Sequence, residues 1–118
     1  MNLMKQARRI FAYKFPVDMR KGISGLDGLV RTLMQRDPLS GDIYVFVNRT
    51  GTHMKCLLWD RTGFIVIHKR LEHGKFRFHG QGPQLELDEA RLYLLLDGIK
   101  VGGISTNSLQ NRQCADAC

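Results

Sequence analysis

The fold is decided by residues 43–70, which read IYVFVNRTGTHMKCLLWDRTGFIVIHKR. Three segments rich in β-branched and aromatic side chains stand out here, at 43–47, 53–59 and 64–70. Two similar turns separate them, Asn-Arg-Thr-Gly at 48–51 and Asp-Arg-Thr-Gly at 60–63. An Asn or Asp that begins a turn and a glycine that ends it are typical of a type I turn with a glycine bulge. The pattern therefore predicts a three-stranded antiparallel meander.

This turn type, with three residues in each loop, predicts a register for the meander. Lys55 then lies directly opposite Lys69, and Trp59 lies on the same face of the sheet. The opposite face is almost wholly apolar, with Tyr44, Phe46, Met54, Cys56, Leu58, Phe64 and Val66. We expect that apolar face to be the core side, packed against a helix.

A strand and a helix precede the meander. Residues 9–15 are rich in aromatic side chains and stop at Pro16, so they predict a short strand. Asp18 is a good N-cap for a helix over 19–35, in which apolar residues recur at helical spacing. Three glycines lie inside this helix, at 22, 25 and 28. Close packing of the helix on the sheet is the favoured explanation for them, and approach of the backbone to a phosphate is the alternative.

The chain after the meander is more polar. Residues 72–83 predict a basic, glycine-rich loop with a possible short strand, and Asp88 can cap a last helix. Residues 102–118 are rich in Gly, Ser, Asn and Gln and predict a disordered tail. The expected organisation is one small α+β domain over 1–101, with element order β-α-β-β-β-α, an antiparallel meander sheet and helices packed on it.

The charge balance favours a polyanionic partner. The 118 residues hold 18 Lys and Arg against 11 Asp and Glu, a net charge of +7. The excess lies in residues 1–83, whereas 84–118 carry more acidic than basic side chains. The most frequent partner of such a surface is nucleic acid. A basic protein without a polyanionic partner is the alternative.

Several classes of protein are excluded by composition. No apolar run reaches the roughly 20 residues of a membrane span, and no apolar stretch follows the charged start as in a secretory signal. Three cysteines, two of them in the polar tail, argue against a disulfide framework. We expect a cytoplasmic protein without a membrane partner or a small-molecule substrate.

Two sets of residues predict phosphate contacts. Lys55 opposite Lys69 would be unfavourable in a sheet unless an anion lay between them, and the ring of Trp59 beside them could stack on a base. The alternative is that both lysine stems cover apolar surface, with Trp59 in a small second core. Arg20 and Lys21 lie at the predicted helix start, where cations are disfavoured and a bound anion would be favoured.

Metal and catalytic sites are not expected. Three histidines have spacings that fit no standard zinc pattern: His68, His73 and His79. Asp18, Asp60 and Glu72 could hold Mg²⁺, but a helix cap, a turn and an ion pair with Lys69-Arg70 explain them better. The chain shows no nucleophile–base pair and no phosphate loop. We predict no cofactor and no enzyme activity.

The same residues resemble a known family, the small second-open-reading-frame proteins, called TnpB, of bacterial insertion sequences of the sixty-six type. The similarity covers roughly residues 9–100. It is carried by Val17-Asp18-Met19-Arg20-Lys21-Gly22, Gly25-Leu26, Gly28-Leu29, Asp37-Pro38-Leu39-Ser40-Gly41, Lys55, Trp59-Asp60, Gly63, Lys69-Arg70-Leu71-Glu72, Gly74, Phe76 and Leu95-Leu96-Asp97-Gly98-Ile99.

The resemblance implies a bacterial accessory protein that works beside a separate transposase, and it implies no catalytic residues in this chain. Two hypotheses for its molecular activity follow. In the first, the chain binds DNA through six residues: Arg20, Lys21, Lys55, Trp59, Lys69 and Arg70. In the second, the surface around Trp59 binds the transposase, with the lysines at its rim, and no DNA is contacted.

Overall fold

The computed structural model describes residues 9–104, and the tail predicted over 102–118 lies mostly outside them. The elements in chain order are β1 (Ile10–Tyr13), α1 (Ile23–Thr32), a 3₁₀ turn (Pro38–Ser40), β2 (Ile43–Val47), β3 (His53–Asp60), β4 (Gly63–Arg70), β5 (Phe78–His79), β6 (Gln84–Leu87), α2 (Glu89–Leu96) and β7 (Val101–Gly102). The α+β class is confirmed. The element order differs from the prediction, because three strands follow β4.

The main sheet is mixed rather than a pure antiparallel meander. Its strand order is β4-β3-β2-β1-β6. The β2–β3–β4 meander is present, but β1 pairs parallel to β2 and antiparallel to β6. The helix α1 connects the two parallel strands, as a crossover must. A second, two-stranded sheet pairs β5 with β7, and Ile104 bridges to Glu86.

The predicted register is wrong by one residue in both hairpins, because neither loop has three residues. In the first, the side chain of Asn48 accepts a hydrogen bond from the backbone of His53, which closes a four-residue loop. In the second, Arg61 adopts a positive φ of 52° and Asp60 pairs with Gly63, which leaves a two-residue loop. As a result Lys55 lies opposite His68, and the partner of Lys69 is Met54.

A shift by one residue moves side chains of β3 to the other face, and both faces of the sheet are buried. The face under α1 holds one cluster, with Phe11, Leu26, Val30, Tyr44, Phe46 and Leu57 among its members. The face under α2 holds the other, with Val45, Met54, Cys56, Leu58, Leu92 and Leu95. Met54, Cys56 and Leu58 therefore lie on the α2 face, and not on the face of Tyr44 and Phe46 as the sequence predicts. Lys55 and Lys69 do not form a pair, since they lie on opposite faces.

The first helix is shorter than predicted, and its start differs. Gly22 is the N-cap and makes no side-chain cap hydrogen bond. The Asp18 carboxylate is not the cap, since it accepts hydrogen bonds from the backbone and the guanidinium of Arg20. A Cβ at Gly22 or Gly28 would meet no atom within 4 Å, so close packing does not explain these two glycines. At α2 the predicted cap is confirmed, because Asp88 accepts from the backbone of Arg91.

No helix within residues 9–104 has the length and apolar character needed to cross a membrane.

Candidate nucleic-acid interface

Lys55 holds the chain that leads into α1. It lies on the α1 face of β3, and its Nζ atom donates hydrogen bonds to the carbonyl oxygens of Met19 (2.7 Å) and Lys21 (2.9 Å). The carbonyls of a loop need partners when the loop covers a sheet, and the lysine supplies them. The structure thus brings Lys55 close to Arg20 and Lys21 before the start of α1. These residues do not form a set of free cations, because the ammonium group of Lys55 is bound to backbone carbonyls.

Lys69 lies on the opposite face of the sheet, under α2. Its Nζ atom donates to the carbonyl oxygen of Leu96 at 2.6 Å, at the last residue of α2. A cation at a helix C-terminus meets the negative end of the helix dipole. The next residue, Arg70, is exposed and forms an ion pair with Glu72 at 2.9 Å, as predicted. Lys69 therefore lies on the opposite face from Lys55, whereas Arg70, which pairs with His53, lies on the Lys55 face at the end of β4.

Arg20 and Trp59 lie at different ends of the molecule. The Arg20 guanidinium is 92% exposed and pairs with the Asp18 carboxylate at 2.7 Å. Hydrogen bonds from Arg20 lower the pKa of Asp18 to about 2. Trp59, at the far end of β3, is partly buried and meets Phe64 edge-on, with ring centroids 5.0 Å apart. The six predicted residues therefore do not form one continuous site.

The structure places a different set of cations together. A cleft of about 450 Å³ lies beside the β2–β3 hairpin, and we call it the basic groove. Its charged lining is entirely basic: Lys14, Arg49, Lys75, Arg77 and Lys100, together with the imidazole of His79. All six residues are exposed. The groove contains no Asp or Glu, and among the described residues none of its Lys or Arg side chains forms a salt bridge.

Backbone contacts bring these separated segments together. The carbonyl of Gly51 accepts a hydrogen bond from the backbone of Phe76 at 2.7 Å, and the carbonyl of Arg77 accepts one from Val101 at 3.2 Å. Gly51 has a φ of +76°, and a Cβ there would lie 3.2 Å from the Cβ of Lys75. A glycine at position 51 thus allows the hairpin tip and the 75–77 segment to meet and form one wall of the groove.

A second cleft continues the groove on the other side of the hairpin tip. It has a volume of about 650 Å³ and shares Pro16, Asn48, Arg49 and Thr50 with the basic groove. It adds Arg20 and His53 to the lining, and also Asp18, whose charge Arg20 already balances. Of the six predicted contact residues, Arg20 is the one that lies in this continuous basic surface.

The sequence contains only a weak signal for the groove. Residues 74–79 read Gly-Lys-Phe-Arg-Phe-His, with cations alternating with aromatic rings. Phe76 is buried while its neighbours at 75 and 77 are exposed, as the alternation of an extended chain requires. The contributions of Lys14, Arg49 and Lys100 could not be found this way, since only the tertiary structure brings them to this segment.

Two further groups could carry chemistry. The imidazoles of His53 and His68 are hydrogen-bonded, Nδ1 to Nε2, at 2.9 Å. Partial burial, Lys55 and His53 together lower the pKa of His68. Burial raises the pKa of the Cys56 thiol to about 12, so this thiol stays protonated and unreactive. Within residues 9–104, no group of three or more His, Cys, Asp and Glu side chains could hold a metal ion.

A family model described as "IS66 Orf2 like protein" matches residues 8–106. The chain is 43% identical over 70 residues to "Uncharacterized protein y4jC" of Sinorhizobium fredii (strain NBRC 101917 / NGR234), covering 59% of this chain and 60% of that protein. It is 34% identical over 83 residues to "Uncharacterized protein y4hO" of the same strain, covering 70% and 72%. The match therefore spans less than two thirds of the first relative. No solved structure matches significantly.

Proposed function

Because the chain belongs to the family of IS66 Orf2-like proteins, which are accessory proteins of insertion sequences, we propose that it is a non-catalytic protein that binds DNA during transposition. The predicted resemblance is confirmed by that family match, and a transposition-associated role follows from it. DNA binding, and cooperation with a separate transposase in the bacterial cytoplasm, are the further steps of the proposal.

The observation that carries the proposal is the composition of the basic groove. Five Lys and Arg side chains converge there without a carboxylate among the lining residues, and within residues 9–104 four of them are not hydrogen-bonded, whereas Lys14 donates to the carbonyl of Gly80. Like charges gathered at one place repel each other, and a polyanion that runs past them removes this repulsion. Phosphates along a nucleic-acid backbone are such a polyanion, and exposed cations on flexible stems can follow their spacing.

The proposed contact residues change accordingly. Lys55 and Lys69 each use their ammonium group on backbone carbonyls, so we assign them a structural role. Arg20, Lys21 and Arg70 have exposed side chains and remain proposed contacts, with Arg20 nearest to the groove. The groove residues Arg49, Lys75, Arg77 and Lys100 become the principal proposed contacts.

Fluorescence anisotropy titrated with salt tests the proposal. The DNAs are a duplex with the element's terminal repeat, a scrambled duplex and a single strand. For a duplex, each lost phosphate contact lowers the salt slope by about one unit. We therefore expect the triple variant Lys75→Gln, Arg77→Gln, Lys100→Gln to lower the slope by about two to three units.

Arg61→Asn is the control for loss of a surface charge outside the groove. Arg61 is 85% exposed, lies on the β3–β4 turn at the other end of the sheet, and has the positive φ that asparagine tolerates. We expect a single-charge change there to leave the slope unaltered. A slope that is the same in the wild type and the groove variant, with both folded, contradicts the proposed site. Absence of salt-sensitive binding to all three DNAs contradicts the function.

Binding of the transposase is a second candidate function, and a cleft beside Trp59 favours it. This cleft of about 420 Å³ is lined by the apolar side chains of Leu39, Leu58 and Trp59, together with Ser40, Gly41, Asp60 and Arg61, and Leu39 is 44% exposed. A tryptophan ring in a cleft with apolar neighbours and a polar rim is a frequent anchor of a protein interface. The test is capture of the transposase without DNA, which Trp59→Ala should abolish in a folded variant. Retained capture by that variant would count against this role.

A further inference from the structure

The outer edge of β4 carries a row of free backbone groups. β4 is the edge strand of the main sheet, and no strand within residues 9–104 pairs with its outer side. The two-residue loop makes Asp60 and Gly63 a hydrogen-bonded pair, so hydrogen-bonded pairs recur at every second residue. The Leu71 backbone N–H donates to the Thr52 carbonyl at 2.9 Å, so residues 52 and 71 form another hydrogen-bonded pair in this alternating series. The backbones of Phe64, Val66, His68 and Arg70 therefore point away from β3.

This edge has few of the features that normally prevent strand pairing. It is eight residues long, contains no proline, and pairs with β3 without a bulge. Its middle is apolar and half-buried, and its only cations are at the C-terminal end, at Lys69 and Arg70. Edge strands that stay unpaired usually carry a central charge, a proline or a bulge. A further strand therefore fits here.

The sequence of β4 is nearly symmetric about Val66. Ile65 and Ile67 flank the valine, and the rings of Phe64 and His68 flank the isoleucines. A two-fold interface requires that one surface complement itself, and antiparallel pairing centred on Val66 meets this condition. We propose that two copies of this chain associate through antiparallel pairing of their β4 strands, joining two five-stranded sheets into one of ten strands.

The charges favour this arrangement over a parallel one. Antiparallel pairing about Val66 sets Lys69 opposite Gly63 of the partner subunit, which has no charge. Parallel pairing would stack the cations of Lys69 and Arg70 on the same residues of the second copy, which destabilises a sheet. The occupant that the edge fits is therefore a second copy of this chain.

Sedimentation equilibrium of the whole chain over a concentration series tests the proposal. We expect the wild type to reach twice the 13.5 kDa of one chain. Ile65 is only partly buried, and Ile65→Lys would place a charge opposite Ile67 of the partner subunit, so this variant should stay monomeric and folded. Leu94→Lys makes the same change on α2, where Leu94 is 43% exposed, and should dimerise like the wild type.

Cross-linking tests the register independently. Ile65 lies opposite Ile67 of the partner subunit in a non-hydrogen-bonded pair, where two cysteines are close enough for a disulfide. In a background with Cys114→Ser and Cys118→Ser, a mixture of Ile65→Cys and Ile67→Cys chains should cross-link, whereas either variant alone should not. A monomeric wild type, or a dimer that Ile65→Lys leaves intact, overturns the proposal. Cross-linking of either variant alone overturns the register.

Discussion

The ammonium group of Lys55 lies 2.7 Å from the carbonyl oxygen of Met19 and holds the chain before α1 on the sheet. A second bond, to the carbonyl of Lys21, completes this contact. A lysine that the sequence predicts to contact phosphate is thus already used by the fold. This relationship separates the cations that maintain the structure from those that are free for a partner.

The first prediction concerns this contact. Lys55→Met keeps the apolar stem but removes the donor, so two carbonyls lose a charged partner. We expect the free energy of unfolding to fall by about 1–3 kcal/mol, with no change in the salt slope of DNA binding. Chemical denaturation and the anisotropy titration measure the two effects. A lower slope with unchanged stability would instead assign Lys55 to DNA.

The second prediction is that Gly28→Ala stabilises the protein. Gly28 lies within α1, its φ is negative, and a Cβ there would meet no atom within 4 Å. Replacing glycine by alanine inside a helix contributes up to about 1 kcal/mol. The comparison is Gly25→Ala, whose Cβ would meet the Cβ of Lys21 at 3.1 Å and should gain less. Thermal or urea denaturation of both variants measures the difference, and a destabilised Gly28→Ala would refute the prediction.

The third prediction concerns Gly51, which allows the wall of the basic groove to form. Gly51→Ala combines left-handed strain, about 1–2 kcal/mol, with a close contact to Lys75. Gly41→Ala has the same strain, with φ +92°, but no atom within 4 Å. Both variants should therefore lose stability. Only Gly51→Ala should also weaken DNA binding in the anisotropy titration. Equal DNA affinity of the two variants would show that the basic groove is not the DNA-binding site.

The fourth prediction is a pH effect through His68. Partial desolvation and the neighbouring Lys55 and His53 lower the pKa of this imidazole below its ordinary value of 6.5, so the unfolded chain takes up the proton first as the pH falls. The unfolding free energy should therefore decrease below about pH 6.5. In His68→Gln this part of the decrease should be absent. Urea denaturation at about pH 7.5 and pH 5.5 compares the two proteins, and parallel pH profiles would contradict this role for His68.

The strands were predictable from sequence because their evidence is local. β-branched and aromatic side chains predict extended segments at 43–47, 53–59 and 64–70, each within one residue of the observed strand, and the Asn and Asp turns place the hairpins between them. The α+β class and the cap at Asp88 follow from the same kind of evidence. The short strands β5, β6 and β7 lack it, since each forms only where distant segments supply a pairing edge.

Family membership was also determined by the sequence alone, since the motifs that carry it are linear. The register and the basic groove were decided only by the tertiary structure. Loops of four and two residues give the same turn signature as two loops of three, yet they move Lys55 and Lys69 to opposite faces. The groove joins Lys14, Arg49 and Lys100 with the 75–77 segment, and no local pattern connects residues so far apart. The local sequence determines where strands and turns form, whereas the pairing of distant segments determines which charged side chains lie close together.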